Sequence, residues 1–299
     1  MTRLSIRHET VYRYGDAVGF GPQRLLVRPR DSHADRLVEA WLELSPPGET
    51  RWVYDAQGNC VCWYQPQGQA TELRIVSNLV IDRYPAPVVE LEVDDPQTAM
   101  PIVYSLADRV VLNPFIIPAT DSGPEVLKWL RAHISQPDEA ALAFLTRLTQ
   151  AIHAEFTYGE RDTPGVQTPG ETILRGAGTC RDFAWLMIEA LRRVGYAARF
   201  VTGYLYSPKR DRPDGQGGHK GAGSTHAWCD VFLPGLGWME FDPTNGLVES
   251  PDLIRVGSTR TPDEAAPISG AIIGDPRSCE MHVNVEVHMV GGPSQSAAA

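Results

Sequence analysis

Nowhere does this chain run apolar for the roughly 18 uninterrupted residues that a membrane-crossing helix needs. The opening segment MTRLSIRHETVYRY also lacks the apolar centre of an export signal, so a cytoplasmic location is the expectation. Positive charge is short: 27 Lys and Arg stand against 37 Asp and Glu, a formal net charge of −10. That balance argues against a nucleic-acid backbone or an anionic membrane as partner. Cysteine is sparse, odd in number and scattered (Cys60, Cys62, Cys180, Cys229, Cys279), which suits reduced thiols better than a disulfide framework. Cys60 and Cys62 lie closer than zinc-knuckle spacing and read as structural. Metal-ligand groupings are missing too. His8 and His33 have no carboxylate or histidine companion at ligand spacing. His282, Asn284, Glu286 and His288 share a strand face, but its ends are about 20 Å apart, which fits a solvated face and no ion. Neither metal nor cofactor is expected, and no internal repeat is present.

What the chain does have is apolar content for real cores, 42% of 299 residues, enough for one ordinary domain and a smaller companion. Residues 1–84 read as β. Alternation from Leu4 to Tyr14 makes a long strand that Gly15 and Asp16 break, followed by candidates at 24–27, 37–44, 51–54, 60–64 and 71–82 with turn-rich pieces between. Short strands at this spacing suggest a β-sandwich. Residues 85–123, punctuated by Pro85, Pro87, Pro96, Pro101, Pro114 and Pro118, read as a linker. Helices are expected over 124–134 and about 138–155, the second with Leu142, Leu145, Leu148 and Ile152 on one stripe, then a loop over 156–175. Beyond a strand at 197–206, the polar stretch 207–223 is either a surface excursion or a flap over a site. The strand 224–233 alternates so that His226, Trp228, Asp230 and Phe232 share one face, and Ala227, Cys229, Val231 and Leu233 the other. A PGLG turn returns it as Trp238 to Asp242. Residues 251–299 form an extension that is loop-like until a strand from Cys279 to Val290, and the end GGPSQSAAA is expected to be disordered.

The chain is organised around Gly176 to Leu191, GAGTCRDFAWLMIEAL. Thr179 is a good N-cap and Asp182, three residues on, makes a near capping box. Cys180 then falls at the first helical position, where the positive end of the helix dipole and Arg181 favour the ionised thiol. Behind it Phe183, Leu186, Met187, Ala190, Leu191 and Val194 recur at helical spacing. A nucleophilic cysteine needs a base, and the base an orienting acceptor. The candidates are Cys180, His226 and Asp242, each at an element terminus, the last two on adjacent strands of a short hairpin. The Cys180 backbone N–H is a ready oxyanion donor; Tyr158 is a candidate for the second.

The segments GAGTCRDFAWLMIEALRRVGYAARFVTGYL and STHAWCDVFLPGLGWMEFDPTNG resemble the core of the transglutaminase-like superfamily of cysteine enzymes. LSIRHETVYRY, RLLVRPR and YDAQGN resemble the β-rich region that precedes this core in bacterial members. The resemblance covers roughly residues 1–250. It implies a papain-like α+β core over 124–250, a cysteine helix packed on an antiparallel sheet, with Cys180 as nucleophile, His226 as base and acid, and Asp242 as its orienting partner. Nothing resembles the calcium loops of animal crosslinking members. The expected activity is attack of Cys180 on an amide of a protein or peptide substrate to give a thioester acyl-enzyme, with hydrolysis by a peptidase or amidase ahead of transamidation. The resemblance also implies action alongside a peptide-ligating partner enzyme. Two other readings remain: arylamine acetyltransferase, in which the cysteine lies nearer the N-terminus, and a non-catalytic peptide-binding scaffold.

Overall fold

The computed structural model describes residues 1–84, 102–121, 123–134, 139–159, 165–208, 218–221 and 223–290. Residues 85–101 of the linker, the greater part of the 207–223 stretch and the chain end at 291–299 lie outside the described residues.

The first strand, β1 (Thr2–Leu25), does not stop at Gly15. A shift in register between Arg13 and Val18 carries it past the glycine as a bulge, and the same strand serves two halves of one sheet. It pairs with β5 (Gln69–Arg83) along its first half and with β4 (Cys60–Pro66) at its end; β2 (Asp35–Ser45) and β3 (Gly48–Tyr54) form the outer strands in the order β2-β5-β1-β4-β3. The sheet curls. Leu42 and Leu44 of β2 share one apolar cluster with Cys62 and Tyr64 of β4, although two strands separate them in the sheet.

The second half of the chain is α+β, as expected. Helix α1 (Leu106–Ile116) lies inside the stretch read as a linker: Ser105 caps it by accepting the Asp108 N–H, and Pro114 near its end hid it. Helices α2 (Gly123–His133) and α3 (Ala141–Glu155) follow close to expectation. The two-residue strand β6 (Thr157–Tyr158) and helix α4 (Pro169–Arg175) occupy the segment read as a loop. The α4 signal was present in the sequence as Thr168, Pro169 and Glu171, a capping box with proline in the first turn. After β7 (Ala177–Gly178) comes α5 (Cys180–Arg192), then β8 (Ala198–Leu205), β9 (His226–Leu233), β10 (Gly237–Asp242), β11 (Leu247–Val248) and β12 (Leu253–Thr259) in an antiparallel sheet of order β11-β10-β9-β8-β12.

Of the 13 residues of α5, Arg181 alone is not buried. One side packs on Phe200 of β8 and on Ala227, Cys229, Val231 and Leu233 of β9, the apolar face read from the alternation; the others meet α2, α3 and α4. The opposite face of this sheet, through Tyr204, Ile254 and Val256, rests on Leu4, Ile6, Leu79 and Ile81 of the curled sheet. The cysteine helix and the N-terminal sheet thus clamp the core sheet from two sides. Each large apolar side chain sealed there contributes about 1.5–3 kcal/mol.

The tail also departs from expectation. It is not loop-like before Cys279: β12 adds to the core sheet beside β8, and β13 (Ile268–Ile273) joins β14 (Cys279–Met289) on β1. Both missed strands are short and hold a glycine, Gly257 and Gly270, and their partners lie far back in the chain, so local pattern carried little sign of them.

His8 is buried where the sheets meet, its ring nitrogens satisfied by the Tyr204 hydroxyl and the Thr10 hydroxyl at 3.1 Å each, and burial pushes its pKa down to about 4. A base depressed by folding stabilises the native state above its unfolded value of 6.5 and loses that contribution as pH falls toward 4. Acidification across this window is expected to cost about 3 kcal/mol through His8, and less in His8→Gln, as read by urea melts at pH 7 and pH 4.

Candidate active site

The tip of α5 is built by the segment before it. Tyr158 pairs with Gly178 in a parallel β6–β7 ladder, with the Gly159 N–H donating to the Gly178 carbonyl at 3.0 Å. A Cβ on Gly178 would stand 2.9 Å from Asp182 Cβ and 3.1 Å from the Phe183 ring, so only glycine lets the chain pass this close to the first helical turn. Asp182 is fully buried. One of its oxygens accepts from the Thr179 N–H at 2.8 Å and hydroxyl at 3.0 Å, the reach-back arm of the capping box. Its other oxygen accepts the Gln167 N–H at 2.7 Å, tying the preceding loop to the tip. The first intrahelical bond runs from the Phe183 N–H to the Thr179 carbonyl, so the Cys180 N–H has no acceptor within the helix.

His226 opens β9 and Asp242 closes β10. Nε2 of His226 and Oδ2 of Asp242 are 2.8 Å apart, with both side chains sealed from solvent. Asp242 accepts two further hydrogen bonds, from the Thr244 N–H (2.9 Å) and the Asn245 amide (2.8 Å). Burial favours the neutral carboxyl, but His226 and these donors hold its pKa below the usual value. Burial alone would lower His226; the charge and hydrogen bond of Asp242, with Cys180 beyond, instead raise it to about 10. Because Nε2 is taken by Asp242, Nδ1 is the nitrogen left for the Cys180 thiol; it is buried without a hydrogen bond of good geometry. The three residues named from the sequence therefore stand together, Cys180 and His226 as neighbours and His226 bonded to Asp242. Cys180 is 7% exposed and His226 1%.

Trp228 lies on the same strand face and stacks on the His226 ring with centroids 6.1 Å apart and planes 30° apart. Its indole N–H donates to Glu240 at 3.3 Å, and Arg255 bridges Glu240 to Asp230. The Tyr158 hydroxyl stands on the His226 side of the site, where it and His226 Nδ1 both flank Gly221. Asn245, three residues beyond Asp242, reaches the same carboxylate, a role that no sequence motif marks. Elsewhere Cys60, Cys62 and Cys229 are buried, and burial raises all three thiols, Cys62 to about 11. His33, His282 and His288 are exposed. Among the described residues no group of three metal-ligating side chains is found, and no helix is long and apolar enough to cross a membrane.

A cysteine at the tip of a buried helix, packed on an antiparallel sheet whose strands end in histidine and aspartate, places the fold among α+β proteins of the papain-like kind. Residues 129–243 match the transglutaminase-like superfamily and residues 4–82 the bacterial transglutaminase-like N-terminal region. An uncharacterized protein of Mycobacterium tuberculosis is 30% identical over 302 residues, spanning 95% of this chain and 92% of its own. Another, of Mycobacterium leprae, is 26% identical over 275 residues, 92% of this chain and 94% of its own. The chain belongs to the transglutaminase-like superfamily. In fold it also resembles the solved structure of a candidate cysteine protease from Cytophaga hutchinsonii, with a TM-score of 0.67 at 20% identity over 98% of this chain and 92% of that one.

Proposed function

We propose that this protein is a cysteine-dependent enzyme acting on amide bonds of a protein or peptide substrate, with Cys180 as nucleophile, His226 as base and acid, and Asp242 as orienting partner. The observation that carries the reading is the buried 2.8 Å His226–Asp242 bond, which commits Nε2 and leaves Nδ1 to the thiol of Cys180. In the first step Sγ attacks the amide carbon while the Cys180 N–H stabilises the oxyanion. His226 gives its Nδ1 proton to the leaving amine, the C–N bond breaks, and a thioester remains. Water then attacks the thioester while His226 takes its proton, the C–S bond breaks, the acid leaves, and the Cys180 thiolate is restored beside protonated His226. Hydrolysis is favoured over transfer to an amine, in keeping with the candidate-protease assignment of the Cytophaga protein. The five free cysteines accord with a cytoplasmic site of action.

The test is iodoacetamide labelling of Cys180, located by mass spectrometry, against pH. With His226 raised to about 10, a protonated imidazole stands beside the thiol throughout the neutral range. Cys180 is expected to label fast and selectively below pH 7, and His226→Ala to slow it about tenfold or more at neutral pH. Slow labelling, equal to that of the other thiols and indifferent to His226→Ala, would favour a binding module over an enzyme.

A further inference from the structure

The side-chain amide of Asn245 uses both faces. Its Oδ1 accepts the Lys220 N–H at 2.8 Å, and its Nδ2 donates to the Lys220 carbonyl at 3.3 Å and to Asp242 Oδ2 at 2.8 Å. Both amide hydrogens and the oxygen are thereby engaged. Toward Lys220 it behaves as a peptide group in a ladder; toward Asp242 it is one of three donors on the carboxylate that holds His226. Asn245 thereby grips Lys220, and the next residue, Gly221, lies against the imidazole. Gly221 has φ +82°, and a Cβ there would lie 3.1 Å from His226 Nδ1 and 3.3 Å from the Tyr158 hydroxyl. The run is also fastened at its other end, where His219 Nε2 pairs with Asp252 at 2.8 Å and the His219 N–H donates to the Ser207 hydroxyl at 3.3 Å.

We infer that Asn245 is a positioning residue that registers residues 218–221 against the His226–Asp242 pair, so that one amide sets both the covering of Nδ1 and the hold of the aspartate on the imidazole. The inference rests on the proposed roles of His226 and Cys180. Aspartate at this position would keep an acceptor for the Lys220 N–H but lose both donors and set a second carboxylate beside Asp242. Alanine would lose all three bonds. The charged and titratable groups around the pair are few. Asp242 faces His226 of β9, with Cys180 of α5 beyond. From α3, His153 donates to the Thr244 carbonyl at 2.8 Å and packs on Gly246. The covering run brings Lys220 and the His219–Asp252 pair, and β6 brings the Tyr158 hydroxyl beside Gly221.

The sign follows from the count of donors. A carboxylate that loses a donor becomes the stronger acceptor, so Asp242 without Asn245 holds the His226 proton to higher pH. The experiment has two readouts: the His226 titration midpoint by NMR of ring-13C-histidine protein, and the rate of Cys180 labelling by fluorescein maleimide relative to iodoacetamide. Three variants are compared with the wild type. Asn245→Ala is expected to raise the midpoint by about half a pH unit or more and the bulky-to-small labelling ratio about tenfold. Asn245→Asp raises the midpoint further, with a smaller change in ratio. His219→Ala loosens the far end alone and changes the ratio. A midpoint in Asn245→Ala equal to that in His219→Ala, or an unchanged ratio in Asn245→Ala, overturns the inference. Failure of the proposed catalytic roles would show separately, in the wild type, as Cys180 labelling that His226→Ala leaves unaltered.

Discussion

Cys180→Ala is expected to leave a folded protein whose turnover of any amide substrate is about 10⁴-fold or more below the wild type. The expected loss is large because, among the described residues, no second thiol stands beside His226: Cys229, the next thiol in the chain, faces α5 from the strand face opposite His226, and burial raises it far above its ordinary value. The fold is expected to survive. Alanine is the better helix former, the thiol is a small group at the helix tip, and the cap rests on Thr179 and Asp182. Removing the sulfur leaves a protonated His226 still paired with Asp242, so no charge is stranded in the interior. Cys180→Ser separates the chemistry further, since the hydroxyl keeps a hydrogen-bond partner for Nδ1 but stays protonated at neutral pH; it too is expected to fail at acylation. A quenched peptide or amide library followed by intact-mass detection of the acyl-enzyme checks both. Full activity in Cys180→Ala would end the mechanism, and an acyl adduct found on any other residue would relocate it.

What could be read in the sequence divides along the range of the interactions involved. The tip of α5 was legible because its signals are local: Thr179 and Asp182 are three residues apart, and the apolar stripe behind Cys180 is regular. The strand carrying His226 was legible because alternation separates Trp228 and Asp230 from Cys229 and Val231, and packing follows that separation. The α4 capping box was equally local and was passed over because glycine, proline and threonine dominate the segment around it. Beyond local reach lay the pairing of β13 and β14 with β1, across about the whole chain, which returns the tail to the first strand. The grip of Asn245 on Lys220 spans 25 residues, and no periodicity announces such a contact. The residues named for chemistry were short-range, at helix and strand ends; what surrounds them was set by tertiary packing.

The same division explains why Glu189, one turn from the end of α5, drew no notice, and why its loss is expected to be the costlier change for stability. It is fully buried, one of three charged side chains, with Asp182 and Arg192, that α5 seals among apolar ones. Oε1 accepts from the Ala119 N–H at 2.9 Å and from Arg192 at 3.2 Å; Oε2 accepts from the Thr120 N–H at 3.1 Å, the Thr120 hydroxyl at 2.9 Å and Arg193 at 3.2 Å. Arg192, equally buried, donates onward to the carbonyls of Phe115, Ala198 and Arg260, and burial lowers its pKa to about 10, so it stays charged at neutral pH. Glu189→Ala therefore leaves a buried guanidinium without its counter-charge and two backbone N–H groups without acceptors, a loss of about 3–5 kcal/mol and, for a chain of this size, about ten degrees in Tm. Glu189→Gln keeps the shape but turns an amide donor toward an arginine, and should fall between. Replacing the pair together, Glu189→Leu with Arg192→Met, removes both charges and should recover the part of the loss due to the stranded guanidinium, while the Ala119 and Thr120 N–H groups stay without their acceptor. The carboxylate sits nine residues from Cys180, about 13 Å along the helix, so at 20 °C the folded fraction of Glu189→Ala should label at Cys180 as the wild type does. A Tm change of under two degrees would mean that water or neighbouring groups satisfy Arg192 without Glu189. A normal Tm with slowed labelling would mean that this end of α5 acts on its tip.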